Sequence, residues 1–285
     1  MTQLDQFESV FRAADKAVFR YAPPVVRSIL LVSDLDDDGS AALIERLRQL
    51  LSVLSADEPT WSVANDPGLA DPAALVEHVE RAAPDLVVSW RHLFGTGWRA
   101  PYGLGTGLEV LSQHTRPPVL VLPHPDGDHA LPHTLQNSDR VLALTNHLVG
   151  DGSLVSWALR LTEAGGQCWL AHLEDEHDFE HVLEEIGKIP EIDTDSAREL
   201  LAARMLADAR DYAERCAKEV RERGLDLELH AHVGFGCHVA DTMALVEQHE
   251  VDLAVLHTKD DDQLAMHGLA YPIAVEIRNI PLLML

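Results

Sequence analysis

The chain has 285 residues, 46% of them hydrophobic, and a formal net charge of −25 at pH 7. This length and apolar content suit two domains of ordinary size, each with its own core. The acidic charge argues against a nucleic-acid partner, because phosphates attract clustered lysine and arginine. No apolar run is long enough to span a bilayer, the N-terminus lacks a signal pattern, and three cysteines without metal-ligand spacing fit a reducing compartment. We therefore expect a cytoplasmic protein without membrane insertion.

The net charge also leads to a prediction about stability. If it is an adaptation to high ionic strength, self-repulsion destabilises the fold in dilute buffer, and added salt screens that repulsion. We then expect the melting temperature to rise from low to molar potassium chloride by more than for a charge-neutral control protein. A melting temperature that stays constant over that range would instead favour an ordinary acidic protein.

The first third of the chain alternates between helical and extended patterns. Apolar residues at spacings of three and four predict a helix over residues 2–19, which the pair Pro23-Pro24 terminates. The elements predicted next are a strand at 28–34, a helix at 39–54, a strand at 61–64, a helix at 72–82 and a strand at 86–90. Strands that alternate with helices indicate a parallel sheet covered on both faces.

A glycine-rich loop follows the strand at 86–90. Its five glycines, at positions 95, 97, 103, 105 and 107, lead into a short amphipathic helix and then a buried strand at 119–122. Glycines between a strand and a helix let backbone N–H groups approach an anion, and the helix dipole assists. Loops also collect glycine for turn geometry, so both a phosphate site and a plain loop remain open at this point.

Residues 123–138 are polar and rich in proline and histidine, which predicts a linker between two halves. The alternation then restarts. Strands are predicted at 141–146, 168–173, 227–232, 253–256 and 281–285, and helices at 154–163, 176–187, 194–223, 239–249 and 271–278.

Three segments of the first half match segments of the second. SILLVSD (28–34) matches RVLALTN (140–146), PDLVVSW (84–90) matches VDLAVLH (251–257), and PPVLVLP (117–123) matches IPLLML (280–285). The first copy is shorter by about one strand–helix unit plus a loop. We hypothesise that the N-terminal helix covers the sheet face which this deletion opens, and a bare sheet edge would refute that. The two final strands are apolar edges, so we predict that they pair with each other within one chain or with a second chain.

This order of motifs resembles a tandem universal stress protein over about residues 25–285. A first strand ending in Asp34, the Asp85-Leu-Val-Val strand before a glycine loop, and a strand after Pro118 carry the resemblance. The family's nucleotide signature is Gly-x2-Gly-x9-Gly-Ser/Thr. Gly95, nine further residues, Gly105 and Thr106 match its last three elements, and His92 stands in place of the first glycine.

The resemblance implies an α/β protein with two Rossmann-like parallel-sheet domains in tandem, of the adenine nucleotide alpha hydrolase-like type. The expected parts are an N-terminal helix at 1–22, a shortened domain at 23–125 and a second domain at 139–285. A non-catalytic role in stress response is implied, with ATP or AMP bound in the first domain only. Asp34 would bind the base or ribose, and Gly95, Gly105 and Thr106 the phosphates, in a loop that His92 narrows. The tandem would form a pseudo-dimer, and a homodimer is a further expectation.

The second copy departs from the signature. Asn146 replaces the acid, Leu269 follows Gly268 where Ser or Thr is expected, and residues 260–262 are three aspartates where phosphates would lie. Carboxylates repel a triphosphate, so we predict no nucleotide in this copy.

Several alternatives stay open. Arg91 and Arg99 could pair with phosphate, although exposed arginines usually do not. The histidine groups at 124–133, 172–181 and 230–238 fit titrating surface residues better than metal ligands, and no metal is expected. A nucleotide-independent scaffold and a hydrolase or ligase of the related superfamily are the other functional hypotheses. The absence of a pyrophosphate-loop SGGxDS motif after the first strand disfavours the enzyme.

Overall fold

In a computed structural model of the chain, the residues described are 18–95, 97, 103–125, 127, 130–131, 133–145, 148–258 and 270–285. The strands are β1 Ser28–Val32, β2 Thr60–Ala64, β3 Leu86–Trp90, β4 Val119–Leu122, β5 Arg140–Thr145, β6 Gly166–Asp175, β7 Leu227–Gly236, β8 Leu253–Leu256 and β9 Leu282–Met284. The α-helices are α1 Asp37–Leu50, α2 Pro72–Ala82, α3 Thr106–His114, α4 Gly152–Leu161, α5 Glu176–Ile186, α6 Thr194–Arg223, α7 His238–Gln248 and α8 Ala270–Glu276. Short 3-10 helices occupy Ser52–Asp57 and Pro67–Ala70.

Most predicted elements lie where their patterns place them, and the differences have local causes. α1 begins two residues before the predicted start because Asp36 acts as N-cap, its Oδ1 accepting from the Gly39 N–H at 2.8 Å. It ends at Leu50, and the rest of the predicted helix is a 3-10 turn. Val18 and Phe19 are not helical, and the remainder of the predicted N-terminal helix lies outside the described residues.

The strands form one sheet in the order β2-β1-β3-β4-β9-β8-β5-β6-β7. Neighbouring strands are parallel except at β4–β9. The protein is therefore an α/β protein with a mostly parallel sheet, as predicted. In the second half β5 pairs with β6 and β8, and β6 also pairs with β7, whereas in the first half β2 is the last strand. The unit missing from the first half thus corresponds to β7 and the helices that precede it.

The two apolar strands β4 and β9 pair with each other, which confirms the prediction for them. Their antiparallel register places Val119 opposite Met284, Leu120 opposite Leu283 and Val121 opposite Leu282. Every residue of both strands is buried. Because each strand would otherwise be an exposed apolar edge, pairing within the chain removes both edges at once.

An aspartate plays the same role in both halves of the sheet. Asp85 Oδ2 accepts from the N–H groups of Arg27 and Ser28, both at 2.9 Å. Asp252, the matching residue of the second half, accepts with Oδ2 from the Arg140 N–H at 2.9 Å. Each carboxylate joins the start of one central strand to its neighbour, which gives a physical reason for the aspartate in both sequence segments.

The residues that precede β1 lie against the second half. Phe19 is buried with its ring edge-to-face on Tyr212 of α6, and the Ala22 N–H donates to Ser156 of α4. Among the described residues, the outer edge of β2 has no partner strand. The hypothesis that the N-terminal helix covers the open face of the first half stays a prediction, because residues 1–17 lie outside the described residues.

A partly buried ion pair joins the halves near this crossing. Arg160 of α4 donates to Asp57 Oδ2 at 3.0 Å and to the Val53 carbonyl. Burial acts to raise the pKa of Asp57, but the Val26 N–H and the Arg160 guanidinium outweigh it and lower that pKa. None of the helices in the described ranges is long and apolar enough to cross a membrane.

Candidate functional site

The candidate site lies at the carboxyl end of the first-half sheet, where β1 and β3 are neighbours and the chain order reverses. Clefts at such reversal points are where ligands bind in open α/β sheets. Asp34 follows β1 by two residues, and its Oδ2 accepts from the Phe94 N–H at 2.9 Å. The acid at the end of β1 therefore holds the loop that leaves β3.

That loop turns sharply beside Asp34. His92 and Phe94 both have left-handed backbones, with φ of 57° and 59°. The Gly95 N–H donates to the His92 carbonyl at 2.9 Å, and the His92 N–H donates to the Leu104 carbonyl at 2.9 Å. Left-handed non-glycine residues are uncommon and cost free energy, so the surrounding contacts must hold this turn in place.

The His92 side chain fills the space between the loop glycines. A Cβ added to Gly97 would lie 2.5 Å from His92 Nδ1, and one added to Gly105 would lie 2.8 Å from His92 Cα. Gly105 also has a φ of 82°. Gly105 is therefore required for backbone packing against His92, a reason that does not depend on any ligand.

The pKa of His92 is lowered, first by burial and then by the charge of Arg91. A hydrogen bond with the Gly103 backbone and the charge of Glu109 act in the opposite direction. Burial and a neighbouring cation both disfavour an imidazolium. His92 is therefore held towards its neutral form within the loop.

α3 starts at the other side of this loop without a side-chain cap. Its N-cap is Gly105, whereas five other helices are capped by aspartates whose side chains accept from backbone N–H groups. Those aspartates are Asp36, Asp71, Asp151, Asp175 and Asp193. Thr106, the first residue of α3, is exposed. The first N–H groups of α3 thus receive no protein carboxylate or hydroxyl from the N-cap, and a helix start of this kind favours an anion.

The structure brings all five predicted site residues to one end of the sheet. Asp34 contacts the loop through Phe94, and His92 contacts Gly95 and Gly105. Their role in binding a ligand stays a prediction.

Arg91 does not point into this site, contrary to the hypothesis that it pairs with phosphate. It is buried, and its guanidinium donates to the carbonyls of Ala274 and Ile277 at the end of α8. Burial and the charge of Arg278 lower the pKa of Arg91 to about 9. Arg91 directly follows β3, a mostly apolar strand that is buried throughout, and this position in the sequence could have indicated that Arg91 is buried too. Arg99 lies outside the described residues.

In the second half, the predicted departures at 146, 260–262, 268 and 269 also lie outside the described residues. An unpredicted pair lies at the corresponding end of the sheet, where His257 Nε2 is 2.8 Å from Asp151 Oδ1. The same Asp151 oxygen caps α4 by accepting from the Leu154 N–H at 3.1 Å. Spacing could not indicate this pair, because the residues are over a hundred positions apart.

The histidine groups show mixed environments in the described ranges. His172 is buried with Nε2 3.1 Å from Glu174 Oε1, and His230 stacks on Trp169 with ring centroids 5.6 Å apart. No group of three or more His, Cys, Asp or Glu residues in the described part of the chain could hold a metal ion. His129 lies outside that part.

Comparison with known proteins gives solved structures but no sequence relatives. No family model and no curated protein matches the chain. A protein of unknown function from Pseudomonas aeruginosa PAO1 has a TM-score of 0.50 at 13% identity, covering 92% of this chain and 93% of its own. A candidate universal stress protein from Pseudomonas aeruginosa UCBPP-PA14 has a TM-score of 0.48 at 14% identity, covering 92% and 94%. A universal stress protein from Archaeoglobus fulgidus DSM 4304 has a TM-score of 0.43 at 13% identity, covering 91% and 85%.

These similarities bear on the fold alone. The first structure supports the mostly parallel α/β arrangement across nearly the whole chain. The other two have TM-scores below 0.5, which is too low to assign a property of those proteins to this chain.

Proposed function

We propose that this chain is a universal-stress-type protein that acts without catalysis and binds one adenine nucleotide, ATP or AMP, in its first half. The observation that carries the proposal is the uncapped start of α3, which lies in the same loop system as Asp34. Backbone N–H groups at a helix start and a carboxylate at a neighbouring strand end are the two features that a nucleotide's phosphate and its base or ribose require.

In this arrangement the phosphates lie at the N–H groups of α3, and the Thr106 hydroxyl donates to a phosphate oxygen. Asp34 accepts from the base or ribose while it keeps its hydrogen bond from the Phe94 N–H. Arg91 does not bind phosphate in this arrangement, because its guanidinium donates to carbonyls at the end of α8.

His92 opposes binding at neutral pH, because its ring occupies the space between Gly97 and Gly105. Its lowered pKa leaves it neutral at pH 7, while a phosphate beside it would favour the protonated ring. Binding is therefore expected to tighten as the pH falls from 7 towards 6. The same lowered pKa means that the free protein loses stability as the pH falls through the ordinary histidine range, because the unfolded chain then binds the proton more readily.

A second candidate function is a nucleotide-independent scaffold. The internal use of Asp34 and the closure of the loop around His92 favour it, since both residues already have partners in the chain.

Calorimetric titration with ATP and AMP tests the proposal. We expect a stoichiometry near one per chain, and about tenfold tighter binding for His92→Gly, which restores the first glycine of the signature and opens the loop. Thr106→Val is expected to weaken binding several-fold through loss of one hydrogen bond of about 1 kcal/mol. Thr194→Val is the matched control, because Thr194 starts α6 in the same way but behind an aspartate cap.

Gly105→Asp is not a useful probe here, since the fold itself requires Gly105. Two sites per chain would contradict the restriction to the first half. If neither nucleotide binds to the natural chain or to His92→Gly, the scaffold hypothesis replaces the proposal.

A further inference from the structure

The outer edge of β2 exposes backbone hydrogen-bonding groups of two residues. The Thr60 N–H donates to the Arg27 carbonyl, and the Ala64 carbonyl accepts from the Ser33 N–H. Backbone groups alternate in direction along a parallel strand, so residues 60, 62 and 64 face β1. The N–H and C=O groups of Trp61 and Val63 therefore face away from the sheet.

The sequence of this edge lacks two of the devices that usually block strand pairing, which are charge and proline. β2 reads Thr-Trp-Ser-Val-Ala, without a charge or an internal proline, and Thr60, Ser62 and Val63 are exposed. The other edge strand, β7, carries Glu228, His230 and His232. Charged residues on an edge prevent association, and β2 lacks them.

Among the described residues, the side of β2 that bears Trp61 is also partly open, and the second half shows which element covers the corresponding side. Trp61 pairs with Ile29, the second residue of β1, as Cys168 pairs with Val141, the second residue of β5. Cys168 is fully buried beside Cys216 of α6. Trp61 is half-buried at a hollow of about 330 Å³, whose lining includes Arg48, Leu51 and Glu58. In the part of the first half that the structure describes, no helix fills this hollow.

We propose that a second copy of the chain pairs with this edge, β2 against β2, antiparallel about a twofold axis through Ser62. In this register Trp61 of each copy lies opposite Val63 of the other copy, which gives two equivalent pairs. These are the residues whose backbone groups face outwards, so the pairing forms four hydrogen bonds. Trp61 and Val63 project from the same sheet face, and an aromatic residue opposite a β-branched one is a favourable cross-strand pair.

The self-complementary register argues for a second copy rather than another partner. A twofold interface requires one surface to match itself, and a five-residue strand with Trp and Val placed symmetrically about its centre does so. The two halves of each chain already meet through an antiparallel strand pair of the same kind, β4 with β9. This dimer goes beyond the proposed function and does not depend on nucleotide binding.

Charge makes the association dependent on salt. Each copy has a net charge of −25, and Glu58 and Asp66 flank β2. The register places Glu58 of one copy near Asp66 of the other. Like charges repel, and salt screens them, so the dimer is expected to form more readily in molar potassium chloride than in dilute buffer.

Cross-linking through Ser62 tests the proposal on the full chain. Ser62 of one copy faces Ser62 of the other across the twofold axis, and the two form a non-hydrogen-bonded pair. The Cα atoms of such a pair are about 4.5 Å apart, which is a distance that a disulfide can bridge. In a Cys237→Ser background, which removes the one exposed thiol of the three cysteines, Ser62→Cys treated with diamide should give a covalent dimer. Ser153→Cys, at an exposed position near the start of α4, is the control and should cross-link at least tenfold more slowly.

Sedimentation equilibrium in molar potassium chloride provides the second measurement. Val63→Lys should weaken association about tenfold or more, because it places a charge on the paired edge. Val182→Lys, at a 50% exposed valine on α5, should leave association unchanged. Equal cross-linking of Ser62→Cys and Ser153→Cys, or a dimer that Val63→Lys does not weaken, would overturn the proposal. Cross-linking of Ser62→Cys that appears only after residues 1–17 are removed would also overturn the proposal. That result would mean that the N-terminal segment of the same chain covers the edge of β2.

Discussion

Deleting residues 281–285 is expected to abolish the soluble fold. These residues contain β9, which lies in the interior of the sheet between β4 and β8. Leu283 is 1% exposed and lies in register with Leu120 on one side and Val255 on the other. The deletion therefore exposes two apolar strands at once, and unpaired apolar edges aggregate. Solubility after expression and the circular dichroism of any soluble fraction are the measurements.

A point substitution tests the same strand without shortening the chain. Leu283→Asp buries a carboxylate between two strands and should cost about 4 kcal/mol or more of unfolding free energy, which is a large share of a typical domain's stability. Leu283→Val keeps the strand apolar and should cost about 1 kcal/mol. Val25→Asp, at a 54% exposed valine, is the control for adding a charge and should change stability by less than about 0.5 kcal/mol. A truncated protein as soluble and stable as the natural one would show that β9 is dispensable.

Replacing Asp252 with asparagine is expected to stabilise the protein at pH 8. Asp252 is 3% exposed, and its carboxyl is hydrogen-bonded to the carboxyl of Asp139. Burial first, and then the contact with Asp139, raise the pKa of Asp252 to about 7, against the opposing effect of the Arg140 N–H and charge. An asparagine can still accept from the Arg140 N–H and donate to Asp139, and it places no buried negative charge beside the Asp139 carboxylate.

The sign of the pH dependence follows from the raised pKa. Between about pH 4 and pH 7 the folded protein holds a proton on Asp252 that the unfolded chain has released. The contribution of this group to stability is therefore fully present below about pH 4 and is lost as the pH rises to 7. The loss is on the order of a few kcal/mol. Asp252→Asn should melt at a higher temperature than the natural chain at pH 8, and the difference should become small near pH 5.

Asp85→Asn is the matched control in the first half. Asp85 also joins two strands, but all of these partners of its carboxylate are hydrogen-bond donors. They are the N–H groups of Arg27 and Ser28 and the Ser28 hydroxyl. Removing its charge weakens those hydrogen bonds, so this variant should be less stable than the natural chain at pH 8. If Asp252→Asn is destabilised at pH 8 as much as Asp85→Asn, the interpretation that the pKa of Asp252 is raised is wrong.

The candidate site was only partly accessible from sequence. The resemblance to the family's nucleotide signature pointed to Asp34, Gly95, Gly105 and Thr106, because the signature is a local pattern of residue types and spacings. The same spacing could not show that His92 packs between Gly97 and Gly105, or that Gly105 meets the His92 backbone. Those contacts depend on the left-handed turn at His92 and Phe94, which no residue type in the loop specifies.

The amino-acid sequence by itself determined the order of most strands and helices, the matching aspartates Asp85 and Asp252, and the need for β4 and β9 each to be paired. These features follow from local periodicity, from repetition within the chain and from the requirement that apolar edges be paired. Only the tertiary structure decided that β4 pairs with β9 of the same chain, that Arg91 caps α8, that the carboxyl groups of Asp252 and Asp139 meet, and that β2 has no partner strand among the described residues. Each of these depends on which residues distant in sequence come together, and local patterns carry no information about such contacts until the sheet order is known.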